Sequence, residues 1–189
     1  MKKSVIGVLL LLSILALNGK AVAQSRLSLC YRLDVVPQLK YYYNSLDSIF
    51  QTRLGDEYLF RFSVMPSFDP EYALQIESVD EQYYLKVISF DKNLWYAKDA
   101  ADINIDECFV ALETELAEQV LYLGGQFVDN EIDSISVGGT IDGVLYQFEI
   151  NENGAISCGQ IREPVPDSPL GRFCLFCTHL KDLCKSKNQ

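Results

Sequence analysis

Six cysteines constrain this chain more than any other feature: Cys30, Cys108, Cys158, Cys174, Cys177 and Cys184. What they mean depends on the compartment. An even count in an exported chain reads as a disulfide framework, whereas the same thiols in a reducing compartment suit metal or redox chemistry. The first 23 residues bear on that choice. Lys2 and Lys3 give a positive start, and Val5 to Leu17 is a nearly unbroken apolar run. Ala21-Val22-Ala23 then supplies the small-x-small pattern that signal peptidase needs. The apolar run is shorter than the roughly 20 residues of a membrane span. Bulky Leu29 precedes Cys30, which does not fit lipoprotein processing. Residues 1–23 are therefore expected to be a cleavable signal peptide and residues 24–189 a single mature domain. The expected location is the periplasm or the extracellular space, with no membrane insertion after cleavage.

Cleavage would remove Lys2, Lys3 and Lys20 but no acidic residue, taking the formal charge from −10 to −13. So acidic a chain repels phosphate backbones and anionic lipid, which argues against nucleic acid; the charge suits a basic protein partner or a cation, or serves solubility alone. The mature length suits one domain with its own core.

The chain carries no internal repeat or evident linker. Leu39, Tyr43, Leu46 and Phe50 recur at helical spacing, predicting a helix over Gln38–Leu54 with Pro37 at its start and Gly55 at its stop. Strands are predicted over Tyr58–Met65, Tyr72–Val79 and Gln82–Phe90, with Asp80-Glu81 as a turn. Phe109, Leu112, Leu116, Val120 and Leu123 predict a second helix over Asp106–Leu123, ended by Gly124-Gly125. Strands return at Ser134–Val137, Val144–Ile150 and Ala155–Gln160, with hairpin pairs at Asp142-Gly143 and Asn153-Gly154. Ser168 and Pro169 open a last helix to about Lys185. The hairpin chemistry favours antiparallel pairing. The expected fold is α+β: a single domain, an antiparallel sheet of about six strands with about three helices packed on one face, and disulfide staples.

The cluster Cys174-Leu-Phe-Cys177-Thr-His179, followed by Cys184, admits three readings. A redox CxxC needs a helix N-terminus to lower the thiol pKa, and a helix starting near Ser168 leaves Cys174 past its first turn. A zinc site needs four ligands converging, and one helix puts His179 nearly opposite Cys177. The remaining reading is that Cys174, Cys177 and Cys184 each staple the helix to Cys30, Cys108 or Cys158. That cuts the 15 possible pairings to six, and it predicts no free thiol.

Asp102, Asn104, Asp106 and Glu113 match some calcium-loop offsets, but Glu107 stands where the loop's glycine is needed. No HExxH, Walker loop, GxGxxG or GxSxG is present, and His179 is the one histidine. No catalytic, cofactor-binding or metal residue is assigned, and no cofactor is expected. Aromatic residues are in surplus. Tyr41, Tyr42, Tyr83, Tyr84, Trp95 and Tyr96 are the candidate contact surface, because Tyr and Trp offer large, rigid, amphipathic area. The resulting expectation is an exported, non-enzymatic protein-binding domain, such as an inhibitor- or immunity-type cell-envelope protein, acting through an acidic, aromatic-rich surface. The alternatives are a small envelope hydrolase using paired carboxylates and a purely structural surface protein.

Overall fold

The computed structural model describes residues 28–29, 37–129 and 142–187. The expected signal peptide, Cys30 and the Ser134–Val137 strand lie outside the described residues. The described elements are β1 (Ser28–Leu29), α1 (Pro37–Leu54), β2 (Phe60–Pro66), β3 (Tyr72–Val79), β4 (Gln82–Phe90), β5 (Ile105–Ala111), α2 (Thr114–Asp129), β6 (Val144–Glu152), β7 (Ala155–Arg162) and α3 (Pro169–Lys187). The strands form one sheet in the order β1-β7-β6-β2-β3-β4-β5, antiparallel throughout. β1 contributes two residues, so six strands carry the sheet. The α+β class, the three helices and the single domain are as expected.

The local chemistry explains most boundaries. Asn153 and Gly154 both have positive φ (54° and 88°), the conformation of the tight turn that joins β6 to β7. Asp80 and Glu81 make the same kind of turn between β3 and β4. Ser168 caps α3, its Oγ accepting from the Gly171 N–H at 3.0 Å. In α1 the buried stripe is Tyr42, Leu46, Phe50 and Leu54, with Tyr43 at its margin.

Two expectations are corrected. The first is the helix predicted over Asp106–Leu123. Ile105–Ala111 is instead a strand, paired with β4 from Ile105–Phe90 to Ala111–Tyr84. Ile105, Phe109 and Val110 suit a pleated edge, and Cys108 points inward among outward neighbours, so period two wins there. The helix begins only at Thr114 and runs past Gly124-Gly125 to Asp129. Gly124 is used for close packing: a Cβ there would sit 2.8 Å from Phe60 Cε2.

The second correction is that the helices cover both faces of the sheet. Phe60, Phe62, Leu74, Leu85, Val87 and Phe148 face α2 and α3 in the larger core. Alternate residues of the same strands, including Met65, Ala73, Ile88 and Leu145, face α1 in a second core. The strands thus read as near-continuous apolar runs rather than as one apolar side.

Beyond the second core, the α1-facing side of the sheet turns polar beneath the helix C-terminus. Arg61 is buried there. It donates to the Gly55 carbonyl and to Gln75 Oε1, while Gln75 and Lys86 donate to the Leu54 carbonyl. These groups satisfy carbonyls that a helix end leaves unpaired, and their charge suits the negative end of the helix dipole. Arg61 also lies over the Tyr58 ring at 4.0 Å and 3.8 Å from Glu149.

Candidate protein-contact surface

The segment Asp91–Asn104 leaves the end of β4 and returns at the start of β5 as a closed loop. Its two ends are pinned together. The Asp91 N–H donates to the Asn104 carbonyl, and the Asp91 carboxylate accepts from Asn104 N and Nδ2 at 2.9 and 2.7 Å. The Asn104 side chain chiefly holds the Asp91 carboxyl below its ordinary pKa. Inside the loop, Leu94 and Ile103 sink into the second core against α1. Loops whose ends meet and whose own side chains fill them are compact and often functional.

A buried polar network fixes the loop's first turn, Leu94–Tyr96. Asn93 is buried; its amide donates to the Pro66 and Asp69 carbonyls, and its Oδ1 accepts from the Trp95 N–H at 2.9 Å. Glu71 is fully buried. One of its oxygens accepts from the Tyr42 hydroxyl and the other from the Leu94 N–H, both at 2.9 Å. Burial is the main influence on the Glu71 carboxyl and raises its pKa, against the opposing effect of those two donors. Burial likewise pushes the Tyr42 hydroxyl far above its ordinary range, helped by the neighbouring carboxylate. The network ties α1, the β2–β3 loop and the aromatic loop into one rigid assembly.

That assembly presents aromatic side chains to solvent. Trp95 is 43% exposed, Tyr96 61% and Phe68 67%. Phe68 stacks on Tyr96 with ring centroids 6.3 Å apart, and Trp95 leans edge-on against Tyr42 at 5.6 Å. Asp69, Asp91, Asp99 and Asp102 are exposed in the same two loops, with Lys92 and Lys98. The loops therefore carry exposed aromatic side chains together with an excess of acidic over basic ones.

The expected surface residues do not all meet here. Tyr41 is exposed on α1. Tyr42 is corrected from surface to interior: its hydroxyl is needed by Glu71 and its ring by Trp95. Tyr83 is half-buried on the face covered by α2 and α3. Tyr84 stacks on Phe109 at 4.9 Å, six residues along β4 from Phe90, which puts it roughly 20 Å away from the loop. Phe68 was not anticipated. Its signal was present, since an aromatic flanked by Pro66 and Pro70 belongs to a turn and has little chance of a core position. Buried Glu71 and Asn93 had no such signal, because nothing local distinguishes them from solvated neighbours.

The cysteines also divide. Cys108 and Cys184 are bridged, with Cα atoms 6.0 Å apart, joining β5 to α3. Cys158 is bridged as well, its partner lying outside the described residues. Cys174 and Cys177 are free and buried, which corrects the expectation that each staples α3 to a distant cysteine. They face the larger core, where Tyr72 lies near both thiols and Tyr146 near Cys174, and where Cys108 and Cys184 are already bridged to each other. Burial pushes the Cys174 thiol up to about 12 and that of Cys177 well above its ordinary value, the reverse of an activated thiol.

Among the described residues no three potential ligands gather to hold a metal. Of the calcium-like spacing, Asp106 lies within β5 and Glu113 two residues beyond its end, so the extended chain holds the two carboxylates roughly 20 Å apart. Glu71 is the one buried carboxylate among the described residues, and both its oxygens are taken. No described helix is long and apolar enough to cross a membrane. Comparison with protein-family models, curated proteins and solved structures returns no match for this chain.

Proposed function

We propose that this chain is an exported, non-enzymatic protein-binding domain that docks a basic partner through Phe68, Trp95 and Tyr96. The observation that carries the reading is the buried network of Glu71, Asn93 and Tyr42 beneath these rings. A protein gains little from burying a carboxylate merely to shape a solvent loop. It gains binding strength when exposed aromatics are held rigid before the partner arrives, because less side-chain and loop entropy is lost on docking. The acidic excess of these loops and the acidic chain as a whole favour a basic partner and salt-sensitive association.

The test uses the exported protein with a photo-crosslinking residue at Tyr96, or at exposed Ile156 as a control, incubated with envelope or medium proteins at low salt. The expected result is one basic protein crosslinked from Tyr96 but not from Ile156, lost at high salt and lost when Phe68 and Trp95 are both changed to Ala. Trp95 is the chain's one tryptophan, so its emission should shift as the purified partner is added. Equal labelling from both positions, or no adduct at low salt, overturns the reading.

A further inference from the structure

A second site lies on the opposite side of the β2–β3 loop. A cleft of about 400 Å³ opens between the last turns of α3 and the ends of β2, β3 and β6. That volume is within the range of small-molecule sites. Its floor is apolar and aromatic, with Val64, Tyr72 and Tyr146. Its wall carries Lys181 and Lys185, and among the described residues neither ammonium makes an ion pair.

Ser89 marks the floor as a built site. It lines the cleft and is 9% exposed, and its Oγ is buried with no hydrogen-bond partner among the described residues. It follows Leu85 and Val87 on the same face of β4, where an apolar residue would avoid the cost of an unpaired hydroxyl. Ser89 pairs across the sheet with Tyr72, and Lys181 Nζ stands 4.2 Å over the Tyr72 ring. Ser89 and Lys181 are thus both neighbours of Tyr72, one across the sheet and one from α3. The Tyr72 hydroxyl itself is occupied by Thr178, at 2.8 Å, and Thr178 in turn bonds the Cys174 carbonyl. Two carboxylates also line the cleft. Glu71 turns both oxygens to Tyr42 and the Leu94 N–H, and Asp69 is exposed. The unspent polar chemistry of the interior is thus one donor hydroxyl with nearby positive charge, over an apolar floor.

We propose that this cleft binds a small organic anion, a carboxylate on an apolar or aromatic body. The carboxylate takes the Lys181 ammonium, with Lys185 adding charge at the mouth, and the sealed Ser89 hydroxyl reaches it by a turn of its side chain about Cα–Cβ. The body lies on Val64 and Tyr146. The cleft shares the β2–β3 loop with the aromatic patch, Asp69 and Glu71 bordering both, but the anion reading does not depend on the patch's role.

Benzoate is the probe, titrated into the disulfide-bonded protein and followed by amide chemical shifts. Saturable shifts centred on Ser89, Tyr72, Tyr146 and Lys181 are expected below about 10 mM. The variant K181Q/K185Q should weaken binding roughly tenfold, since a hydrogen bond to a charged group is lost, while a small drop in its melting temperature reports the lost contact of Lys181 with the Tyr72 ring. S89A should also weaken binding while folding at least as well as the parent, because the hydroxyl it removes has no hydrogen-bond partner among the described residues. Inorganic phosphate, which has no apolar body, should bind more weakly than benzoate. The proposal is overturned if benzylamine binds as well as benzoate, if phosphate matches it, if K181Q/K185Q binds unchanged, or if no saturation appears.

Discussion

Glu71 shows what a single residue contributes that composition cannot reveal. Among 26 acidic residues it is one more carboxylate in the sequence, yet it is the one whose two oxygens organise a turn of the loop and the tyrosine behind it. Its burial has a consequence that titration can read. The folded-state pKa lies above the ordinary 4.5, so the folded chain keeps this proton over a range where the unfolded chain has released it. Stability must then fall as pH rises from about 4.5 through that range, and level off above the folded-state value. E71Q removes the titration and leaves a pH-independent offset for any altered hydrogen bond. The unfolding midpoint of wild type relative to E71Q is therefore expected to decline across this window and stay flat beyond it. A difference that rises with pH would mean that the Tyr42 and Leu94 donors outweigh burial.

At the scale of elements, legibility followed how local the deciding chemistry was. α3 was readable because Ser168, Pro169 and the run after them specify a helix start within a few residues. The hairpins were readable because Asn153-Gly154 and Asp80-Glu81 sit between strand-like runs. β5 was not, because Phe109 and Leu112 happen to continue the helical spacing of α2 backward, and only pairing with β4 reveals the strand. The two-sided placement of helices was hidden for a similar reason, since α1 meets its core through contacts far apart in sequence. The cysteine face of α3 is buried, but burial does not supply partners. Cys184 meets Cys108, whereas Cys174 and Cys177 meet aromatic rings. In the absence of reductant, a thiol reagent should label neither in the native protein and two per chain after denaturation. Labelling of Cys174 or Cys177 in the native state would mean that α3 is not docked as described.

At the scale of the whole molecule, one covalent tie joins the edge of the sheet to the last helix. Cys108 lies on the terminal strand β5, and Cys184 lies near the end of the last helix. Their 76-residue separation spans α2, β6 and β7, so the bridge restricts a large loop in the unfolded chain. Loop-closure entropy for that length is worth about 4 kcal/mol, and native-state adjustment usually trims it. C108A/C184A is therefore expected to lose roughly 2–4 kcal/mol of unfolding free energy. Amide exchange separates the two ways this could arise. If the bridge acts on the unfolded chain, every amide that exchanges through global unfolding must lose the same protection. The buried centres of β2, β3 and β6 should then fall together with α3. If the bridge instead clamps α3 onto β5, the helix amides lose protection and the central strands keep theirs. The packing favours the first outcome, because Phe173 stacks on Phe148 and meets Phe60 edge-on, which anchors α3 to the middle of the sheet with no help from the disulfide.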